Sequence, residues 1–141
     1  MFLKDRELHM ASILIVDDNL VNQKLMQAIV RSVGHQSAVA GNGQEALDMV
    51  LMQRFDLILM DLMMPVMDGF EATMAIRKVP ACRELPIIAV TANTLVGSRE
   101  RALSVGCNGY ISKPYTKQDL LQIMNEWLRG SSDQHQPVKI D

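Results

Sequence analysis

Four short apolar runs punctuate this chain, and each ends on a residue able to do chemistry. Ile13-Leu14-Ile15-Val16 leads into Asp17-Asp18, and Leu57-Ile58-Leu59-Met60 leads into Asp61. Ile87-Ile88-Ala89-Val90 leads into Thr91, and Tyr110-Ile111-Ser112 into Lys113-Pro114. Runs of this length between turn signals, with no polar alternation, predict strands buried on both faces of a parallel sheet.

The intervening segments carry a helical period. Strands are expected over residues 12–17, 36–40, 56–60, 87–91 and 109–112, the second being the weakest. A helix is predicted over residues 20–33, with Asn19 as N-cap and Gly34 as its stop. In it Val21, Leu25, Ala28 and Ile29, with Met26, Val30 and Val33, recur at helical spacing. A second helix over 44–53 is expected to bury Ala46, Leu47, Val50 and Leu51, and a third covers 70–77. Residues 80–86 read as a connection, and a fourth helix over 96–105 has a poor apolar stripe. The last, over 116–128, shows a clear face of Leu120, Ile123, Met124, Trp127 and Leu128. Strands and helices in alternation give a doubly wound α/β sheet, with right-handed crossovers placing helices on both sides.

In such a sheet the carboxyl ends of the strands share one edge, where ligands bind. Asp17, Asp18, Asp61, Thr91 and Lys113 are therefore expected to meet. An Asp at a strand end can be no more than a helix N-cap, but that does not explain two in a row. Adjacent carboxylates repel unless a cation neutralises them. Oxygen ligands without nearby nitrogen or sulfur favour a hard ion, Mg²⁺ above all. Asp61 is the candidate nucleophile, since a carboxylate can form an aspartyl-phosphate. Lys113 supplies a compact ammonium, and the Thr91 hydroxyl can bond a phosphoryl oxygen. Pro114 keeps Lys113 out of helical geometry, and a cis bond suits so tight a turn.

Composition narrows the field. A length of 141 residues with 48% hydrophobic content fits one folded domain. The expected organisation is an extension or cloning remnant over 1–11, the domain over 12–129, and a flexible tail over 130–141. Lys and Arg total 14 against 16 acidic residues, a net charge of −2, and give no reason to expect a nucleic-acid surface. Cys82 and Cys107 form no CxxC and read as reduced thiols of a cytoplasmic protein. No run approaches the ~20 apolar residues of a membrane span, and no signal-peptide core is present. The eleven methionines read as adaptable core filler.

The acidic pair, Asp61, Thr91 and Lys113-Pro114 together resemble the receiver domain of two-component response regulators, over about residues 11–128. The stretches that carry the resemblance are Ile15-Val16-Asp17-Asp18-Asn19, Met60-Asp61-Leu62-Met63-Met64-Pro65-Val66-Met67-Asp68-Gly69, Thr91-Ala92-Asn93 and Lys113-Pro114. Asn19, Asn22 and the Met64-to-Ala72 stretch look like receivers of hybrid sensor histidine kinases. The resemblance implies a flavodoxin-like (βα)5 fold with a five-stranded parallel sheet in the order 2-1-3-4-5. It implies that Asp61 takes a phosphoryl group from a phosphohistidine of a histidine kinase or phosphotransfer domain. Asp18, Asp61 and the Met63 backbone carbonyl would bind Mg²⁺ directly, and Asp17 through water. Lys113 would pair with the phosphoryl group, Thr91 would turn toward it, and Ala92 is small beside it. Tyr110 would rotate from an outward to an inward position, switching the face of the fourth helix and fifth strand. A cytoplasmic monomer or weak dimer is implied, free or as part of a membrane-bound sensor kinase, with no membrane or nucleic-acid contact of its own.

Two further expectations concern the rim. Met63 and Asn93 should flank the phosphoryl group, and apolar Met63 has no acid to orient a water, so self-hydrolysis should be slow. The first helix could present Asn22 or Lys24 to a phosphodonor, with no unusual apolar residues on its exposed face. The alternative is a Mg²⁺-dependent aspartyl-phosphate phosphatase resembling the haloacid dehalogenase group. Such enzymes carry a second Asp two residues after the nucleophile; here that position is Met63. A scaffold with an unused acidic pocket is disfavoured by the intact set of polar residues.

Overall fold

The computed structural model describes residues 10–92 and 95–133, without the side chains of 129–133. Five strands, β1 (Ser12–Val16), β2 (Gln36–Ala40), β3 (Leu57–Asp61), β4 (Ile87–Thr91) and β5 (Gly109–Ser112), form one sheet. Every pairing is parallel and the order is β2-β1-β3-β4-β5. The helices are α1 (Leu20–Ser32), α2 (Gly43–Met52), α3 (Gly69–Arg77), α4 (Ser98–Ser104) and α5 (Lys117–Asp133). A 3-10 turn, Pro80–Cys82, interrupts the connection before β4.

Side chains of a strand alternate between faces, and on β1, β3 and β4 both faces are dry. The edge strands β2 and β5, the latter expected to be buried on both faces, are only half-buried because each has a neighbour on one side. Ile13, Ile15, Leu57, Leu59, Ile88 and Val90 pack with Met26, Ile29 and Val30 of α1 and Leu120 and Met124 of α5. Leu14, Val16, Ile58, Met60, Ile87 and Ala89 pack with Ala46 of α2, Phe70, Ala72 and Ile76 of α3, and Ala102 of α4. This two-sided burial is why the central strands read as unbroken apolar runs. The strand order brings the ends of β1, β3, β4 and β5 to one edge in the sequence of their neighbours.

Several boundaries differ from the sequence reading. The β1 ladder stops at Val16, so Asp17 begins the loop. β3 runs one residue later than expected, because Asp56 instead caps the start of β1, accepting from the Ser12 N–H at 2.8 Å. α4 is shorter than expected: its first turn is entered through Gly97 at φ 90° and has no side-chain cap. α5 continues to Asp133, past Leu128 and into the expected tail, of which residues 134–141 lie outside the described part. Residues 1–9 also lie outside it, but Ala11 of the expected extension is buried and donates to His35 Nδ1 at 3.0 Å. Leu51, read as a core position, is 62% exposed next to the end of α2.

Arg77 ties the far side of α4 in place. Its guanidinium donates to the carbonyls of Cys82 at 2.7 Å and Gly106 at 2.8 Å, and to Asn108 Oδ1 at 2.7 Å. The same Asn108 oxygen accepts from the Ile87 N–H at 2.8 Å, so the loop into β5 is locked to the start of β4.

Candidate functional site

Asp17 follows directly on β1 and is fully buried. Its N–H continues the direction of the ladder, donating to the Ala40 carbonyl at 3.1 Å. Its Oδ1 accepts from the Asn19 N–H at 2.9 Å, and its Oδ2 from Lys113 Nζ at 3.0 Å. Its carbonyl, beyond the reach of the sheet, accepts from the Gln23 amide of α1 at 2.6 Å. Asp18 is exposed. Asn19 caps α1 as expected, accepting from the Asn22 N–H at 2.9 Å.

Asp61 is the last residue of β3, buried, with Oδ1 accepting from the Met63 N–H at 3.2 Å. Carboxylate oxygens of Asp17, Asp18 and Asp61 lie within 4.8 Å of one another. Burial and then the charge of Asp17 push the Asp61 carboxyl up to about 6, against an opposing pull from Lys113. Thr91 ends β4, is buried, and pairs in register with Ser112 of β5. Its carbonyl accepts from the Lys113 N–H at 2.8 Å, which fixes the root of the lysine at this edge. The Lys113-Pro114 bond is cis. The structure thus brings together the side chains of Asp17, Asp18, Asp61 and Lys113, and sets Thr91 at the same sheet edge through its backbone bond to Lys113.

The loop from β3 to α3 is held against the nucleophile candidate. A Cβ on Gly69 would collide with the Asp61 carbonyl oxygen and lie 2.7 Å from the Leu62 Cα, so only glycine lets α3 start here. Asp68 and Glu71 close a capping box at that start. Val66 sits at φ 72°, an unfavourable conformation for a β-branched residue. It is spanned by a hydrogen bond from the Met67 N–H to the Pro65 carbonyl at 2.8 Å, and the Met67 carbonyl accepts from Gly43 of α2 at 3.2 Å.

At the rim, Met63 is 58% exposed, whereas Asn93 lies outside the described residues. Tyr110 is half-buried, with its hydroxyl donating to Ser98 Oγ of α4 at 3.3 Å. The α1 expectation needs correction. Its outer face carries Leu20, Val21 and Leu25 at 62%, 73% and 50% exposure. The reason is geometric: the helix seats on the sheet through Met26, Ile29 and Val30 alone, so the rest of the apolar stripe turns outward. Two neighbours of the site escaped the sequence reading. Gln23 bonds across a turn, which no periodicity reports. Tyr115 is half-buried near Asp17, whose charge, after burial, raises its phenol.

The donor set is three carboxylates that repel at close range, one of them forced upward in pKa. That arrangement suits a hard divalent cation, which would relieve the repulsion. A nucleophilic oxygen, an ammonium and a hydroxyl at the same edge suit a transferred phosphoryl group.

Comparison with known proteins agrees. The sequence model of the response regulator receiver domain matches residues 13–125. The polar-differentiation response regulator DivK of Brucella anthropi is 38% identical over 117 residues, covering 83% of this chain and 95% of that protein. The histidine-protein kinase BarA of Shigella flexneri is 35% identical over 120 residues, covering 85% of this chain but 13% of that much longer protein. Among solved structures, the receiver domain of a Pseudomonas aeruginosa sensor histidine kinase superposes with a TM-score of 0.80 at 42% identity, covering 85% of this chain and 98% of that one. It was crystallised with a magnesium ion coordinated in its active-site cleft. The receiver of Saccharomyces cerevisiae Ssk1, solved with the histidine phosphotransfer protein Ypd1, gives a TM-score of 0.79 at 31% identity, covering 86% of this chain and 90% of that one.

Proposed function

Since this chain belongs to the response regulator receiver domain family of two-component signalling, we propose that Asp61 is its phosphoacceptor and Lys113 and Thr91 its phosphoryl-binding partners. The observation that carries this reading is the convergence of the Asp17, Asp18 and Asp61 oxygens within 4.8 Å, with Lys113 in the same cluster. An Asp61 oxygen attacks the phosphorus of a phosphohistidine; the O–P bond forms as the P–N bond breaks, and the imidazole nitrogen leaves and takes a proton from solvent. Asp18, Asp61 and the Met63 carbonyl would hold Mg²⁺, with Asp17 contributing through water. When bound, that ion would offset negative charge on the carboxylates and phosphoryl oxygens. Lys113 leaves Asp17 for the phosphoryl group, and the Thr91 hydroxyl donates to it.

The added charge, about −1.5 to −2 near neutral pH, is the signal. Thr91 turning inward vacates space at the end of β4, and Tyr110 gives up Ser98 and follows, loosening the short and weakly capped α4. The donor is a histidine kinase or histidine phosphotransfer domain, for which the Ypd1–Ssk1 complex is a precedent in a related receiver. The exposed apolar face of α1 beside Asp18 is the natural place for it to dock. The unit that acts in this way is the one expected over residues 12–129, extended by the buried Ala11 and by the rest of α5, alone or within a hybrid kinase. The free thiols of Cys82 and Cys107 fit a reducing compartment such as the cytoplasm, and no helix among the described residues is long and apolar enough to cross a membrane.

The test is mass analysis after incubation with acetyl phosphate and Mg²⁺. One labile phosphoryl adduct per chain is expected in wild type and none in Asp61→Asn. An adduct that survives Asp61→Asn, or multiple turnovers on small phosphate esters, would overturn the reading.

A further inference from the structure

Gln23 stands outside the carboxylate cluster yet holds its backbone. It lies one turn into α1, where its N–H makes a first helical bond, to the Asn19 carbonyl at 3.0 Å. Side chains on a helix lean toward its N-terminus, so the Gln23 amide reaches back over the cap and donates to the Asp17 carbonyl at 2.6 Å. The β1 ladder ends at Val16, and this carbonyl points where no strand can answer it. With the bonds to Ala40, Asn19 and Lys113, every polar atom of Asp17 then has a partner.

The grip matters because of what that carbonyl belongs to. The Asp17 carbonyl and the Asp18 N–H and Cα lie in one rigid peptide plane. Holding the oxygen restrains that plane, and with it the stretch of backbone from which the two carboxylates leave the chain. We infer that Gln23 is a positioning residue for the cation site, clamping the peptide between Asp17 and Asp18 and linking that peptide to α1. The inference rests on the proposed metal-binding role of Asp18 and Asp61. It also ties that site to the helix that exposes Leu20, Val21 and Leu25: displacement of α1 by a docked partner acts on the carboxylate pair through this amide as well as through the Asn19 cap. Groups that orient ligands from behind commonly change metal affinity about tenfold or more when removed.

The test uses the unphosphorylated chain and Mg²⁺ alone. Wild type, Gln23→Met, which is close in shape but has no donor, and Gln23→Asn, whose amide is one carbon too short, are titrated by calorimetry. The Asp18 amide is followed by NMR without metal, and thermal unfolding is recorded in chelator. Expected are Mg²⁺ affinities about tenfold weaker in both variants, a displaced Asp18 amide resonance, and melting midpoints close to wild type. Affinity within twofold of wild type would overturn the inference, as would failure of both variants to fold, which would mark a purely structural tether. Wild type that binds no Mg²⁺ would overturn the site reading beneath it. Wild type that binds Mg²⁺ but takes no phosphoryl group would sink the phosphoacceptor role and leave Gln23 standing.

Discussion

Lys113 Nζ lies 3.0 Å from Asp17 Oδ2, an ion pair that joins the last strand of the sheet to the first across 96 positions of sequence. The carboxylate is fully buried and the lysine side chain 19% exposed, so water screens this pair little. The same ammonium pulls the Asp61 carboxyl downward. Lys113→Met should therefore raise the Asp61 titration midpoint above about 6 and slow phosphorylation by acetyl phosphate at pH 7 about tenfold or more. Carbon-13 NMR of the carboxyl group and the rate of adduct formation report the two effects. A midpoint that stays in place would mean that Lys113 does not act on Asp61.

The Asp61 carboxyl itself sits at about 6 against an ordinary 3.8, raised by burial first and by Asp17 second. Between those values the folded chain keeps a proton that the unfolded chain releases. The stabilising contribution is thus complete below 3.8 and is lost as pH rises through about 6. Removing the charge should help where the charge is present. Discounted for the solvent that still reaches the group, Asp61→Asn should gain about 1–3 kcal/mol at pH 8, and almost nothing near pH 4. Urea unfolding at the two pH values measures the difference. An equal gain at both would show that the benefit comes from packing and not from the charge.

What the sequence made legible follows from how each element is buried. β1, β3 and β4 are dry on both faces, so their apolar runs could be nothing else, and a polar residue at the end of such a run had to fall on the ligand edge. That logic placed Asp17, Asp18, Asp61 and Thr91 at this edge without any contact information, whereas Lys113 follows β5, which is only half-buried, and was read from its place between a strand and Pro114. Helices gave less. On α1 the apolar positions outnumber those the sheet can cover, and pattern alone does not say which of Val21, Leu25 or Met26 turns inward; only Met26 does. Gln23 was illegible for another reason. Its bond depends on where the ladder stops, and that is set by pairing with β2 and β3, far away in sequence.

Met63 is the residue expected to set how long the phosphoryl group lasts. Two residues after Asp61, it is 58% exposed, and its N–H on the Asp61 carboxylate at 3.2 Å holds its backbone against the site. A thioether can neither orient an attacking water nor accept its proton. Met63→Asn and Met63→Glu should each hasten loss of the phosphoryl group severalfold, read as adduct decay in excess chelator after removal of the donor. Unchanged or longer lifetimes would place the control of hydrolysis elsewhere on the rim.

The outer face of α1 separates recognition from chemistry. Val21 and Leu25 are exposed and are not among the residues of the carboxylate cluster; Leu25 occupies the position one turn after Val21 and so continues the same strip of surface. A small phosphodonor needs nothing from that strip, whereas a folded phosphohistidine domain docked on α1 would bury it. Full burial of one such side chain is worth about 1.5–3 kcal/mol, or roughly ten- to a hundredfold in affinity. Val21→Asp and Leu25→Asp should therefore slow transfer from a phosphorylated histidine phosphotransfer domain by at least about tenfold, through a raised KM. Phosphorylation by acetyl phosphate should stay within twofold of wild type. If both donors slow equally, the substitutions act on the site through the helix, along the Gln23 tether. If neither slows, the donor approaches over the loops after β3 and β4 and leaves α1 uncovered.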